Sequence, residues 1–145
     1  MSCPFFWPAR EMTKQEWLNP PRMPLGVAHT GVCKAVAAVD YTPGLDELKR
    51  LCNPGYPTAC ERFPRNWPFQ AVRFAVVRDD NARRISVAYV LEHERTPHEH
   101  GTLEFDRDRD SFERAHHDPI VNAQALAYVR VYLKQKGTST GSGEL

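Results

Sequence analysis

The chain has no surplus of charge. Nineteen Lys plus Arg against eighteen Asp plus Glu leave a formal charge of +1, which excludes the strongly basic footprint of a protein that lives on nucleic acid. It has no run near the roughly 18 apolar residues that a membrane helix requires. Nor does its opening, Met1 to Trp7, carry the basic stretch followed by an apolar stretch that marks a secretory leader. These absences lead us to expect a soluble cytoplasmic protein whose partners include neither membrane nor nucleic acid. The sequence also lacks a G-x-S-x-G elbow, a Walker A loop, a G-x-G-x-x-G turn and a Cys-His nucleophile context, so hydrolase, nucleotide-binding and dinucleotide-binding readings have no residues to rest on. With no recognisable catalytic motif, the reading leans away from an enzyme. Internal repeats are absent too.

What remains is informative. At 145 residues, 41% hydrophobic and 26% charged, the chain can build one core and is short for two. A single domain over residues 1–136 is expected, made of a Cys- and Pro-rich part (1–70) and a sheet-plus-helix part (71–136). Residues 137–145, rich in Gly, Ser and Thr, read as a flexible tail. Ten of the twelve prolines fall between Pro4 and Pro68. Each fixes φ and deletes a main-chain donor, so long regular elements are not expected there. Thr13 with Glu16 forms a capping box for a short helix that Asn19-Pro20-Pro21 stops. Thr42 as cap, Pro43 at the first position and Leu45, Leu48, Leu51 and Cys52 on one face predict a second helix, ended by Asn53-Pro54-Gly55.

From Ala71 the pattern alternates. Val72, Phe74 and Val76 share one face, Asp79-Asp80-Asn81 turns the chain, and Ile85, Val87, Tyr89 and Leu91 share a face of the next strand. After a loop around Pro97, Thr102 to Phe105 predicts a third strand. The charged segment from Asp106 to Asp118 reads as a surface loop or a short turn around Phe112. Asp118-Pro119 opens the longest helix, running to about Gln135, with Val121, Ala125, Tyr128 and Tyr132 on one face. The expected class is α+β: an antiparallel hairpin or three-stranded meander packed by a C-terminal helix, with an irregular Pro-rich half around a four-cysteine metal centre.

That centre is argued from Cys3, Cys33, Cys52 and Cys60. They are separated by 29, 18 and 7 residues, unlike paired zinc knuckles or bacterial ferredoxins. The Pro-rich half has too few periodic apolar residues to hold itself together by burial, and such segments need a staple. Two disulfides, a zinc ion on all four thiolates, a thiolate-held cluster and four unrelated buried thiols are the alternatives. A cubane cluster is several ångströms across, so its ligands can arrive from separated loops, and the neighbours suit it: aromatic Phe5, Phe6, Trp7, Tyr56, Phe63 and Trp67, small Gly31 and Gly55, cationic Lys34 and Arg62. We therefore expect a [4Fe–4S] cluster on the four cysteines, with electron transfer or redox sensing as its use and a redox protein as partner. Zinc is the alternative cofactor.

The runs Gly31-Val-Cys33-Lys-Ala35, Cys52-Asn-Pro-Gly-Tyr56, Cys60-Glu-Arg-Phe-Pro64, Ala71-Val-Arg-Phe-Ala75 and His100-Gly-Thr-Leu-Glu104 resemble small bacterial proteins with four separated cysteines. The resemblance spans Cys3 to the last helix. It implies a cytoplasmic bacterial protein with a four-cysteine metal site, and no particular reaction. A second constellation, Glu92, His98 and His100 with nearby His93, Glu94 and Glu99, leaves an enzyme reading open. Pro97 breaks any H-E-x-x-H helix there, and a polar strand end accounts for these residues. Glu92 and Glu104 are a conceivable acid/base pair.

Overall fold

The computed structural model describes residues 2–36 and 39–144. It is a mixed α+β structure of two antiparallel sheets and a C-terminal helix. The second half follows its binary pattern. β4 (Ala71–Asp79), β5 (Arg84–His93), β6 (Thr96–Asp106) and β7 (Ser111–Arg114) form a meander in the order β4-β5-β6-β7. The inward residues Val72, Phe74, Ile85, Val87, Leu91, Leu103 and Phe105 pack with Val121, Ala125 and Val129 of α2 (Pro119–Glu144). Period 2 in the strands meets period 3.6 in the helix, and burying both faces holds the two layers together. Asp118 caps α2 as expected, its carboxylate accepting the Ile120 N–H at 2.8 Å.

Several expectations need correction. The Pro-rich part is irregular over residues 12–28 and 53–70 but also carries a sheet that was not expected: β1 (Phe6–Glu11), β2 (His29–Val36) and β3 (Val39–Tyr41) form three strands in that order. Pro8 is tolerated because β1 is an edge strand, where a missing donor costs no ladder bond. Pro97 lies within β6, opposite Glu92, rather than in a loop. The charged segment after Asp106 contains β7, whose polarity suits an edge strand. Thr13 and Glu16 exchange the expected capping-box bonds, but around a turn with no helix behind it. The predicted Thr42-capped helix starts instead at Leu45 as α1 (Leu45–Glu47), capped at Gly44, and widens into a π-helical turn over Leu48–Cys52. The helix α2 continues to Glu144, beyond the predicted end near Gln135, and Leu145 lies outside the described residues.

Two ties position the start of the chain. Ser2 and Val72 exchange both main-chain hydrogen bonds, at 2.7 and 2.9 Å. Gln124, fully buried on α2, donates from Nε2 to the Cys3 and Phe6 carbonyls at 2.7 and 2.8 Å, while its Oε1 accepts from Ser2 Oγ at 2.5 Å. At the other end of α2, Asp79 accepts from Tyr132 Oη and Lys136 Nζ and is paired with Arg107. Among the described residues, no helix is long and apolar enough to cross a membrane.

Candidate metal centre

A second apolar cluster contains Cys3, Phe5, Phe6, Leu48 and Cys52, with Cys33, Phe63, Trp67 and Ile120 packed against it. The four cysteines reach this region from four different local structures. Cys3 precedes β1 and donates its main-chain N–H to the Cys52 carbonyl at 3.0 Å. Cys33 lies on β2, opposite Phe6 of β1 and Tyr41 of β3. Cys52 ends the π-helical turn, a local widening of the kind often found at functional sites. Cys60 sits in a run of tight turns, its N–H donated to the Pro57 carbonyl and its own carbonyl accepting from Phe63 N–H. Cys3 and Cys52 are buried; Cys33 and Cys60 are partly exposed.

Electrostatics tie the four together. Burial drives the Cys3 thiol far above its ordinary range, a hydrogen bond from the Phe5 main chain opposes the rise, and the charges of Cys52, Cys33 and Cys60 add to it. Burial likewise pushes Cys52 up to about 12, with Cys33, Cys60 and Glu47 adding to the rise and Arg62 opposing it. Deprotonating Cys3 or Cys52 without a cation nearby is therefore costly. Among the described residues, no three His, Cys, Asp or Glu side chains are gathered closely enough to hold a single metal ion.

The surroundings offer donors with nothing to bond. Among the described residues, two buried side-chain polar atoms lack a hydrogen-bond partner, Arg62 Nε and Trp67 Nε1. Both belong to the cysteine region: Trp67 packs on the Cys3–Cys52 cluster, and the Arg62 charge acts on Cys52 and Cys60. Buried orphan N–H groups are rare in folded proteins because each forfeits its hydration. An acceptor-bearing group in this region would satisfy these two donors. Aromatic rings wall the region. Phe5 stands edge-on to Phe63 with centroids 5.7 Å apart and lies 4.7 Å from Trp67, which in turn touches Phe69.

Other residues singled out from the sequence are placed differently. Trp7 lines a separate cavity of about 570 Å³ between β1, β7 and α2. Lys34 is paired with Asp40 at 2.9 Å and lies over the Trp7 ring. Tyr56 donates from Oη to the Glu92 carboxylate at 2.6 Å. Gly31 has a steric role, since a Cβ there would stand 2.0 Å from the Trp7 carbonyl oxygen. A cleft of about 620 Å³ opens beside Cys60, with Tyr56, Phe63, Arg65, His93 and Arg95 on its walls.

The Glu92, His98 and His100 group does not assemble as a site. Glu92 is buried and held by Tyr56 Oη and by Arg73 Nε at 2.7 Å. Burial pushes its carboxyl up, but those two bonds and the Arg73 charge bring it below the usual range. His98 stacks on Phe69, and His100 is exposed opposite Val90. Glu104 pairs with Ser86, six positions along β5 from Glu92, which puts the two carboxylates about 20 Å apart at the rise of a strand. That distance rules out concerted acid/base work. Residues not foreseen from the sequence include Gln124, an amide among the buried apolar positions of α2, and Tyr41 and Glu47, which engage Arg62. No protein-family model, curated protein or solved structure matches this chain.

Proposed function

We propose that Cys3, Cys33, Cys52 and Cys60 hold a [4Fe–4S] cluster and that the protein exchanges single electrons with a redox partner protein, or senses redox state, in the bacterial cytoplasm. The observation that carries this reading is the pair of orphaned buried donors, Arg62 Nε and Trp67 Nε1, beside thiols from four separated segments. When bound, such a cluster supplies one-electron chemistry, and four thiolate ligands leave no iron open to substrate. The chain's residues contribute the rest. Phe5, Phe63 and Trp67 exclude water, the Phe5 N–H meets the Cys3 sulfur, and Arg62 offsets negative charge. The spread of the thiols weighs against zinc, which needs every sulfur at about 2.3 Å from one ion.

The test is metal and sulfide analysis of anaerobically purified protein with visible and EPR spectra. The expected result is brown protein with iron and sulfide in equal amounts, absorption that bleaches with dithionite, and loss of colour in Cys52→Ser. Colourless protein carrying one zinc and no sulfide would replace this reading with that of a structural zinc module.

A further inference from the structure

We infer that the cavity between β1, β7 and α2 binds a small, neutral, aromatic molecule, and that His29 Nε2 accepts a hydrogen bond from a hydroxyl or N–H group on it. The inference does not rest on the metal reading. The volume of about 570 Å³ falls within the range of about 300–1,000 Å³ that small-molecule sites occupy. Rings form the walls and small residues make the space. Trp7 of β1 and Phe112 of β7 line it from two strands, and Leu126 and Val131 line it from α2. Ala123 and Ala127, about one helical turn apart on α2, leave room above the helix. Both rings are held in place. Lys34 Nζ lies 5.4 Å from the centre of the Trp7 ring, and Phe112 stands edge-on to Phe105 with centroids 5.3 Å apart.

His29 supplies the polar contact. It is only 4% exposed, it lines the cavity, and its ring is oriented by the Val27 carbonyl, 2.9 Å from Nδ1. A carbonyl only accepts, so Nδ1 carries the proton and Nε2 of the neutral ring carries a lone pair. Burial favours that neutral form, against the Val27 bond and the Glu11 charge. Among the described residues Nε2 has no hydrogen-bond partner, yet it is not one of the sealed orphan atoms, so its lone pair opens to the cavity. The charged side chains on the walls are already matched. Arg10 pairs with Glu16 at 2.8 Å, Glu11 with Lys134 at 3.4 Å and Arg130 with Asp110 at 3.0 Å. A charged ligand would have to break one of these pairs, whereas a neutral ring disturbs none. Strands β1 and β7 are free edges of their sheets. Pro8 has no N–H to offer, however, and the β1 ladder slips between Pro8 and Arg10, which disfavours an added peptide strand as the occupant.

The experiment is calorimetric titration of the full chain with three probes: naphthol, methoxynaphthalene, which keeps the rings and lacks the donor, and naphthoate, which is charged. Naphthol should bind at a single site, about fivefold more tightly than methoxynaphthalene, the worth of one hydrogen bond, and naphthoate no more tightly than methoxynaphthalene. Methyl NMR spectra should place naphthol by shifts at Ala123 and Ala127. His29→Phe keeps a ring of similar size and removes the acceptor, so naphthol affinity should fall to that of methoxynaphthalene while the latter stays the same; circular dichroism checks that the variant is folded. Ala127→Phe fills the cavity from α2 and should abolish binding of both probes, which keeps the test decisive if His29→Phe does not fold. No saturable naphthol binding by the parent, methyl shifts that spare Ala123 and Ala127, or binding unchanged in Ala127→Phe overturns the site. Equal affinity for naphthol and methoxynaphthalene, a preference that survives in folded His29→Phe, or tighter binding of naphthoate than of naphthol overturns the assigned ligand chemistry.

Discussion

Replacing Gln124 by Leu tests how the first cysteine is held. The side chain is fully buried and makes three hydrogen bonds, one from Ser2 Oγ and two to the carbonyls of Cys3 and Phe6. Leu fills nearly the same volume, so little of the cost comes from packing. The Cys3 carbonyl keeps the Phe6 N–H at 3.1 Å, and Ser2 Oγ keeps a long contact to Val72 at 3.4 Å. Losing the three bonds at about 1 kcal/mol each and desolvating a carbonyl at about 1–3 kcal/mol gives a destabilisation of about 4–6 kcal/mol. Against a total of about 5–15 kcal/mol this is a large share, and at about 3–4 °C per kcal/mol the melting temperature should fall by about 12–24 °C. Urea titration of metal-free protein measures it, with the slope unchanged. Gln124→Glu adds a check of sign: its oxygen faces two carbonyls when ionised, so its deficit should shrink as pH falls and the carboxyl protonates. A Leu variant within about 1 kcal/mol of the parent would refute the claim that this amide anchors the Cys3 segment.

Three further outcomes are expected. Gly31→Ala drives a Cβ against the Trp7 carbonyl, so it should separate β1 from β2 and cost about 2 kcal/mol or more, visible as faster hydrogen exchange along β1. On pH, burial pushes the Asp79 carboxyl up, but Lys136, Tyr132, the Asn81 N–H and Arg107 hold it well below the usual range. Its contribution is therefore complete above an unfolded value of about 4 and is lost as pH falls through the folded value; Asp79→Asn should remove that dependence in denaturation curves below about pH 4 and cost about 2 kcal/mol at neutrality. Glu92→Gln loses the charged acceptor for Tyr56 and Arg73 and should cost about 1–3 kcal/mol with iron and sulfide content unchanged, a result that a ligand or catalytic role for Glu92 would contradict.

Legibility in the sequence followed the physics of burial. Strands β4 and β5 and helix α2 each bury one face, so Val72-Phe74-Val76, Ile85-Val87-Tyr89-Leu91 and Val121-Ala125 wrote their periods plainly. The sheet of β1, β2 and β3 did not, because Pro8 sits on an edge strand and Lys34, Val36 and Val39 face outward in part. Strand β7 hid behind its charges for the same reason. The four cysteines stood out as residue types, but nothing in their spacing says that Cys3 and Cys52 share a main-chain hydrogen bond or that Cys33 and Cys60 act on both. Gln124 carried one faint signal, a polar residue between Val121 and Ala125 on the buried stripe. Arg62 and Trp67 stood out only as neighbours of Cys60, not as orphans, since an unmatched donor exists only once the chain is folded around it.

The closure of Ser2 onto Val72, and of Gln124 onto Cys3 and Phe6, fixes an order of events in the cell. The Cys3 segment reaches its final position only after the residues carrying Gln124 have been synthesised. On the proposed reading, loading of an inorganic group would therefore follow synthesis of α2, and a chain interrupted before it would lack the contacts that hold Cys3 in place.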